Sequence, residues 1–246
     1  EQVAAHFGYS LSHFSREFKK EMFISASEYI SALKIEQSIK NLGKKDTVLK
    51  AQLETGHLSS GTFSNFFSRF TGLSPKQFQT EMDGLYDKIK THVEKDEEGA
   101  IHYPPLPGKF ASLNKCIVHI KAPNDFKGII FAGLFDKPVS TRLPVMGKAL
   151  VKSRTCAFED ALPPGNYYIL VCAIPHILNP LNYFLLDNAL RHVRREPIEF
   201  PLKTTQEFTL TLRKLEPDDP PITINLPKLL KEGLEQKFFT KNSKKR

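Results

Sequence analysis

Arg16, Lys19 and Lys20 recur at three- and four-residue spacing together with Ser12 and Ser15, while Leu11, Phe14, Phe18 and Met22 recur with the same period. At 100° per residue the apolar set forms one helix face and the serine, arginine and lysine set the other. A guanidinium can hold the O6 and N7 acceptors of guanine through two hydrogen bonds, an ammonium neutralises a phosphate, and a serine hydroxyl makes a single or water-mediated bond. An anchored apolar back and a small, basic front suit a nucleic-acid groove. An ordinary amphipathic surface helix carries the same pattern, so the stripe alone does not decide between them. Turnover chemistry has no comparable signal: no nucleophile–base pair, metal-ligand spacing or glycine-rich phosphate loop stands out, and neither enzyme activity, a metal nor a cofactor is expected. Cys116, Cys156 and Cys172 lie far apart in apolar, strand-like segments and read as buried, reduced thiols.

The elements that position the stripe are repeated. Gly8-Tyr9-Ser10 with Phe14-Ser15-Arg16-Glu17-Phe18 is followed, one unit later, by Gly56 with Phe63-Ser64-Asn65-Phe66-Phe67. Phe23-Ile24-Ser25-Ala26 keeps register with Gly72-Leu73-Ser74-Pro75, and Tyr29 with Phe78. Each unit predicts a helix, a glycine turn and a second helix. In the first unit Val3, Ala4 and Phe7 form the apolar face, Gly8 adopts a left-handed turn, and Ser10 or Ser12 caps the second helix. Between the units, residues 25–42 predict one long helix with two apolar stripes, Ala26, Tyr29, Ile30 and Leu33 on one side and Ile35, Ile39 and Leu42 nearly opposite. Such a helix would space the two units so that their second helices meet groove segments roughly 34 Å apart.

Residues 1–82 resemble the DNA-binding domain of the AraC/XylS family of bacterial transcription regulators. The resemblance rests on Val3-Ala4-Ala5-His6-Phe7-Gly8-Tyr9-Ser10, His13-Phe14-Ser15-Arg16-Glu17-Phe18-Lys19-Lys20, Ser27-Glu28-Tyr29-Ile30, and the run from Phe63-Ser64 to Phe70-Thr71-Gly72-Leu73-Ser74-Pro75-Lys76-Gln77-Phe78. It implies a sequence-specific regulator that binds double-stranded DNA through two helix-turn-helix units and works with RNA polymerase. It places the DNA contacts at Ser12, Ser15 and Arg16 in the first unit and at Ser60, Gly61, Ser64 and Asn65 in the second. Arg16 is the strongest base-reading candidate, and Lys19, Lys20 and Arg69 are expected to touch phosphates, with His13 and His57 near the backbone or structural. This sequence departs from the family pattern in four ways: Phe23 replaces a glycine, Lys34 an arginine, Gln52 a small residue, and Asn65 and Ser68 basic residues. The family's helix before the first unit is also missing, so the start is expected to be trimmed or short of a packing element.

Pro104-Pro105-Leu106-Pro107-Gly108 cannot continue a helix, so residues 83–109 are expected to be an acidic helical extension and a linker. Beyond them, residues 116–121, 128–135, 148–158, 167–174 and 208–215 alternate in strand fashion and predict an antiparallel β-sandwich over residues 110–227. The segment from Phe158 through Pro163-Pro164-Gly165 to Val171 resembles the hairpin of prealbumin-like or carboxypeptidase-regulatory-like sandwiches. Residues 176–195 are expected to be a surface crossover with a short helix or the lining of a ligand pocket. Residues 228–246 are expected to form an amphipathic helix with a basic tail.

The architecture expected is thus α then β in two domains, the second serving effector sensing, homodimerisation or partner contact. The net charge of +8 is unevenly spread, with +3 over residues 1–80, −4 over 81–98 and +5 over the last nineteen, so bulk charge only permits DNA binding. With no long apolar run and no leader-like start, a cytoplasmic protein without membrane contact is expected. A carbohydrate- or peptide-binding sandwich carrying a helical interaction scaffold is the alternative function.

Overall fold

The computed structural model describes residues 2–44, 46–56, 59–81, 84, 114–140, 143–159, 162–175, 186–216, 219, 222 and 229, with the backbone of 101–103. The N-terminal helices are α1 (Gln2–His6), α2 (Leu11–Met22), α3 (Ala26–Gly43), α4 (Val48–Glu54) and α5 (Ser60–Thr71), followed by a helical stretch at 75–81. Gly8 and Gly56 both sit at φ 69°, so the repeated glycine makes the same left-handed turn in each unit. The connecting helix is the one expected. Ser25 accepts from the Glu28 N–H and the Glu28 carboxylate accepts in return from the Ser25 N–H, a reciprocal capping box.

The two units differ in how well they are packed. Ala32, Ile35 and Leu42 of α3, Ala51 of α4, Phe63, Phe67 and Phe70 of α5 and Phe78 form one buried cluster. Phe67 lies between Phe63 and Phe78, with ring centroids 5.7 and 5.4 Å away. No residue of α2 is buried. Phe14 and Phe18 are half-buried, whereas Val3, Phe7, Leu11, Ile30 and Leu33, all expected on apolar faces, are exposed. The far half of α3 underlies α4 and α5, whereas among the described residues α1 buries only Ala4.

Residues 101–211 hold nine described strands in two sheets. β1 (Ile101–Tyr103), β3 (Gly128–Phe135), β4 (Met146–Leu150), β6 (Gly165–Pro175) and β7 (Leu190–Val193) form the larger in the order β1-β4-β3-β6-β7, with β8 (Ile198–Phe200) paired to β6. β2 (Lys115–Lys121), β5 (Thr155–Glu159) and β9 (Gln206–Thr211) form the smaller in the order β5-β2-β9. All pairings are antiparallel except β2 with β9. Those two strands are distant in sequence, so no hairpin dictates their relative direction. The main core between the sheets contains Val118, Ile120, Leu134, Phe158, Ile169 and Phe200. A second cluster on the other face of the larger sheet, including Ile129, Phe131, Leu170, Cys172 and Leu229, leaves every residue of β3 buried. All three cysteines are free and buried, and burial pushes the Cys116 and Cys172 thiols up to about 12 and Cys156 to about 11.

Three strand expectations need correction. Residues 148–158 are not one strand: the chain leaves the larger sheet after β4, turns at Ser153 and enters the smaller sheet as β5. The Pro163-Pro164-Gly165 segment likewise joins strands of different sheets rather than the arms of a hairpin. Leu162 is buried in the core there, and the Tyr167 hydroxyl donates to the Pro163 carbonyl, fixing the crossing. Residues 190–193, read as part of a crossover, are a strand, and 198–200, outside the runs read as strands, are another, because Leu190 and Ile198 pack on the core between the sheets. The expected acidic helix, the proline-rich linker, residues 176–185 and the C-terminal helix lie outside the described residues, apart from Gly84, β1 and Leu229.

Candidate nucleic-acid interface

α2 and α5 are matched elements. Each has twelve residues and begins on a serine, Ser10 accepting from the His13 N–H and Ser59 from the Thr62 N–H. Each ends on a left-handed residue, Phe23 at φ 59° and Gly72 at φ 71°. The departure at Phe23 has therefore changed the residue and kept the backbone, at a cost of about 1–2 kcal/mol that glycine avoids. The half-buried Phe23 ring offsets part of it.

On α2, Ser12, Ser15, Arg16, Lys19 and Lys20 are all exposed, opposite the half-buried Phe14 and Phe18. Lys20 Nζ lies 3.6 Å from Glu17 and 4.0 Å from Glu21, both well exposed. Among the described residues, Arg16 and Lys19 have no ion-pair partner. His13 packs its ring on Tyr9, 4.9 Å between centroids, which gives it a structural contact. On α5, Ser60, Gly61 and Asn65 are exposed and Ser64 and Ser68 are half-buried. Arg69, more than half exposed, donates from Nη2 to Glu28 Oε1 at 3.1 Å. His57 lies outside the described residues.

Several positioning residues carry little signal in the sequence. Lys34 Nζ donates to the Gly56 carbonyl at 3.5 Å, so the residue standing for the family's arginine reaches the second turn. Ser38 is fully buried, bonded to the Lys34 carbonyl at 2.8 Å and 3.3 Å from the Thr55 hydroxyl. Asn41 donates to Glu54 at 2.9 Å and accepts from Gln37 at 3.0 Å. The α3–α4 seam is thus polar where periodicity shows only breaks in an apolar stripe. Each of these seam groups has a partner, which avoids the desolvation penalty of an unmatched one.

Two capped, equal-length helices, each entered through a left-handed glycine and facing solvent with serines, asparagine or cations, define a tandem helix-turn-helix protein. A family model described as a helix-turn-helix domain matches residues 3–81, about a third of the chain. No curated protein and no solved structure matches the chain. The N-terminal region is a DNA-binding domain of the AraC type, as found in transcription regulators, and a β-rich region follows it. No helix among the described residues is long and apolar enough to cross a membrane.

Proposed function

We propose that the protein is a sequence-specific transcription regulator that lays α2 and α5 into two adjacent major-groove segments of double-stranded DNA. The observation that carries this reading is the matched pair of recognition helices, alike in length, cap, entry turn and left-handed exit. Their connector, eighteen residues long, extends about 27 Å, which suits groove segments roughly 34 Å apart. Ser12, Ser15 and Arg16 face bases in the first segment, and Ser60, Gly61, Ser64 and Asn65 face the second. Lys19 and Lys20 neutralise phosphates. Residues 1–82 form this reading domain, and residues 110–227 the domain that senses a small effector, pairs two copies or contacts RNA polymerase.

The test is titration of the full chain against a randomised duplex pool followed by selection. Binding at low salt, weakening steeply as salt rises, and enrichment of a two-part motif are expected. Failure to bind duplex at low salt, or enrichment of one short motif only, overturns the two-segment reading.

A further inference from the structure

Glu28 restrains two elements at once. Its Oε2 accepts from the Ser25 backbone N–H at 3.3 Å and from the Ser25 hydroxyl at 3.4 Å, while Oε1 receives Arg69, forty-one residues away at the end of α5. The next residue, Tyr29, meets Phe18 of α2 edge-on with centroids 5.7 Å apart. Consecutive residues in the first turn of α3 therefore tie down both recognition helices, one through an aromatic contact and the other through an ion pair. We infer that the Glu28–Arg69 pair is a positioning device that fixes the angle between α2 and α5, and with it the half-site spacing the protein accepts. This inference rests on the two-segment reading proposed for the function.

The energetics favour a role in orientation. The side chains are 37% and 57% exposed, and a pair in that setting adds little to global stability. A small energy suffices to hold an angle between elements that are already folded. Because the capping bonds themselves restrain the Glu28 rotamer, the pair with Arg69 costs little further side-chain entropy at the carboxylate. Changing the spacer by one base pair moves the second half-site by about 3.4 Å and turns it by about 34°. An α5 held by Arg69 cannot follow that change, whereas a released one can.

The experiment uses the full chain and duplexes enriched by the unaltered protein, with copies carrying one or two base pairs added or removed between half-sites. Glu28→Gln keeps the cap, since glutamine serves at that position of a capping box, and removes the charge that holds Arg69. Its affinity at the selected spacing should stay within about twofold of the parent, while the penalty for a one-base-pair change should shrink about threefold. Arg69→Gln should shrink that penalty to the same extent, the double variant no further, and Arg69→Lys should restore part of it. Unchanged spacing profiles in all variants would overturn the inference. So would tighter binding of Glu28→Gln at every spacing with weaker binding of Arg69→Gln at every spacing, which would make Arg69 a phosphate contact that Glu28 merely competes for. Failure of the parent chain to enrich any two-part duplex removes the two-segment reading itself, and the inference with it.

Discussion

Replacing Lys19 and Lys20 together by alanine takes two ammonium groups from the outward side of α2 without disturbing its fold. Both are fully on the helix surface, and alanine is the better helix former. The contacts of Lys20 with Glu17 and Glu21 are solvent-exposed, 71% so on the lysine side, and are worth too little to keep it from a phosphate. Each phosphate contact adds about 0.9 to the log–log dependence of affinity on salt, so the double variant should lower the slope by about 1.8. Between 50 and 200 mM salt, that difference alone amounts to about a tenfold change in relative affinity. Asn65→Ala with Ser68→Ala, the matched change on α5, removes no charge and should leave the slope unaltered while blurring preference at one half-site. Anisotropy titrations at four or more salt concentrations read both outcomes. Equal slopes for the parent and the lysine variant, or equal affinity losses from the two double variants, would refute the assignment of electrostatic grip to the first unit.

Arg16→Ala should cost about 1–3 kcal/mol on the selected duplex and relax preference at one base pair; a uniform loss on all sequences would make Arg16 a phosphate contact. Gly61→Ala should raise thermal stability by about 0.5–1 kcal/mol, because the added methyl meets nothing within 4 Å and glycine is costly in a helix, yet it should weaken DNA binding several-fold. Higher stability with unchanged affinity would place Gly61 away from DNA. Burial works to raise the Asp219 pKa, but paired hydrogen bonds from Arg213 at 2.7 and 2.8 Å, the Glu216 N–H, and the charges of Arg213 and Arg191 hold it below the ordinary carboxylate value. A depressed carboxylate stabilises the fold above its unfolded value of about 4, and that contribution is lost as pH falls through the folded one. Asp219→Asn should therefore cost about 1–3 kcal/mol at pH 7 and progressively less toward pH 3 in urea titrations, and an equal cost at both pH values would contradict the linkage.

Much of the helical half was legible because it is written in local chemistry. Gly8, Gly56, Ser10 and Ser25 act within a few residues of themselves, and their turns and caps form where those residue types stand. The outward polar stripe on α2 was equally plain, since Ser12, Ser15, Arg16, Lys19 and Lys20 are all exposed. What escaped notice depends on distance. Arg69 reads as a phosphate contact from its place on α5, and only the folded chain brings Glu28 to it across forty-one residues. In the β region the apolar runs of β2, β3 and β6 were visible as strands. Which sheet each joins was not, because β4 and β5 share one alternating run and part company only through the turn at Ser153. β7 and β8 were missed for being short, their burial coming from neighbours supplied by β6.

The same distance effect explains why the two helix-turn-helix units, so alike in sequence, are physically unequal. In the second unit three buried phenylalanines of α5 close a core with α3 and α4, and the outward surface holds small neutral side chains and an arginine paired with Glu28. In the first unit α2 buries nothing completely, and its outward surface holds Arg16, Lys19 and Lys20. Packing and charge are thus divided between the units. A helix with few buried contacts opens more cheaply than a core helix. Among the described residues α2 is held chiefly by half-buried contacts such as Phe18 with Tyr29, and α5 by its core phenylalanines with the Arg69 pair trimming its angle. Electrostatic attraction to phosphates tolerates a change of helix angle, because it depends weakly on angle; short serine and asparagine contacts do not, because hydrogen bonds weaken steeply off axis. On the proposed contacts, the less buried unit would carry the interactions that tolerate motion and the more buried unit those that require its absence. Exchanging the outward residues of α2 and α5 should consequently lose more binding than the loss of any single set of contacts accounts for.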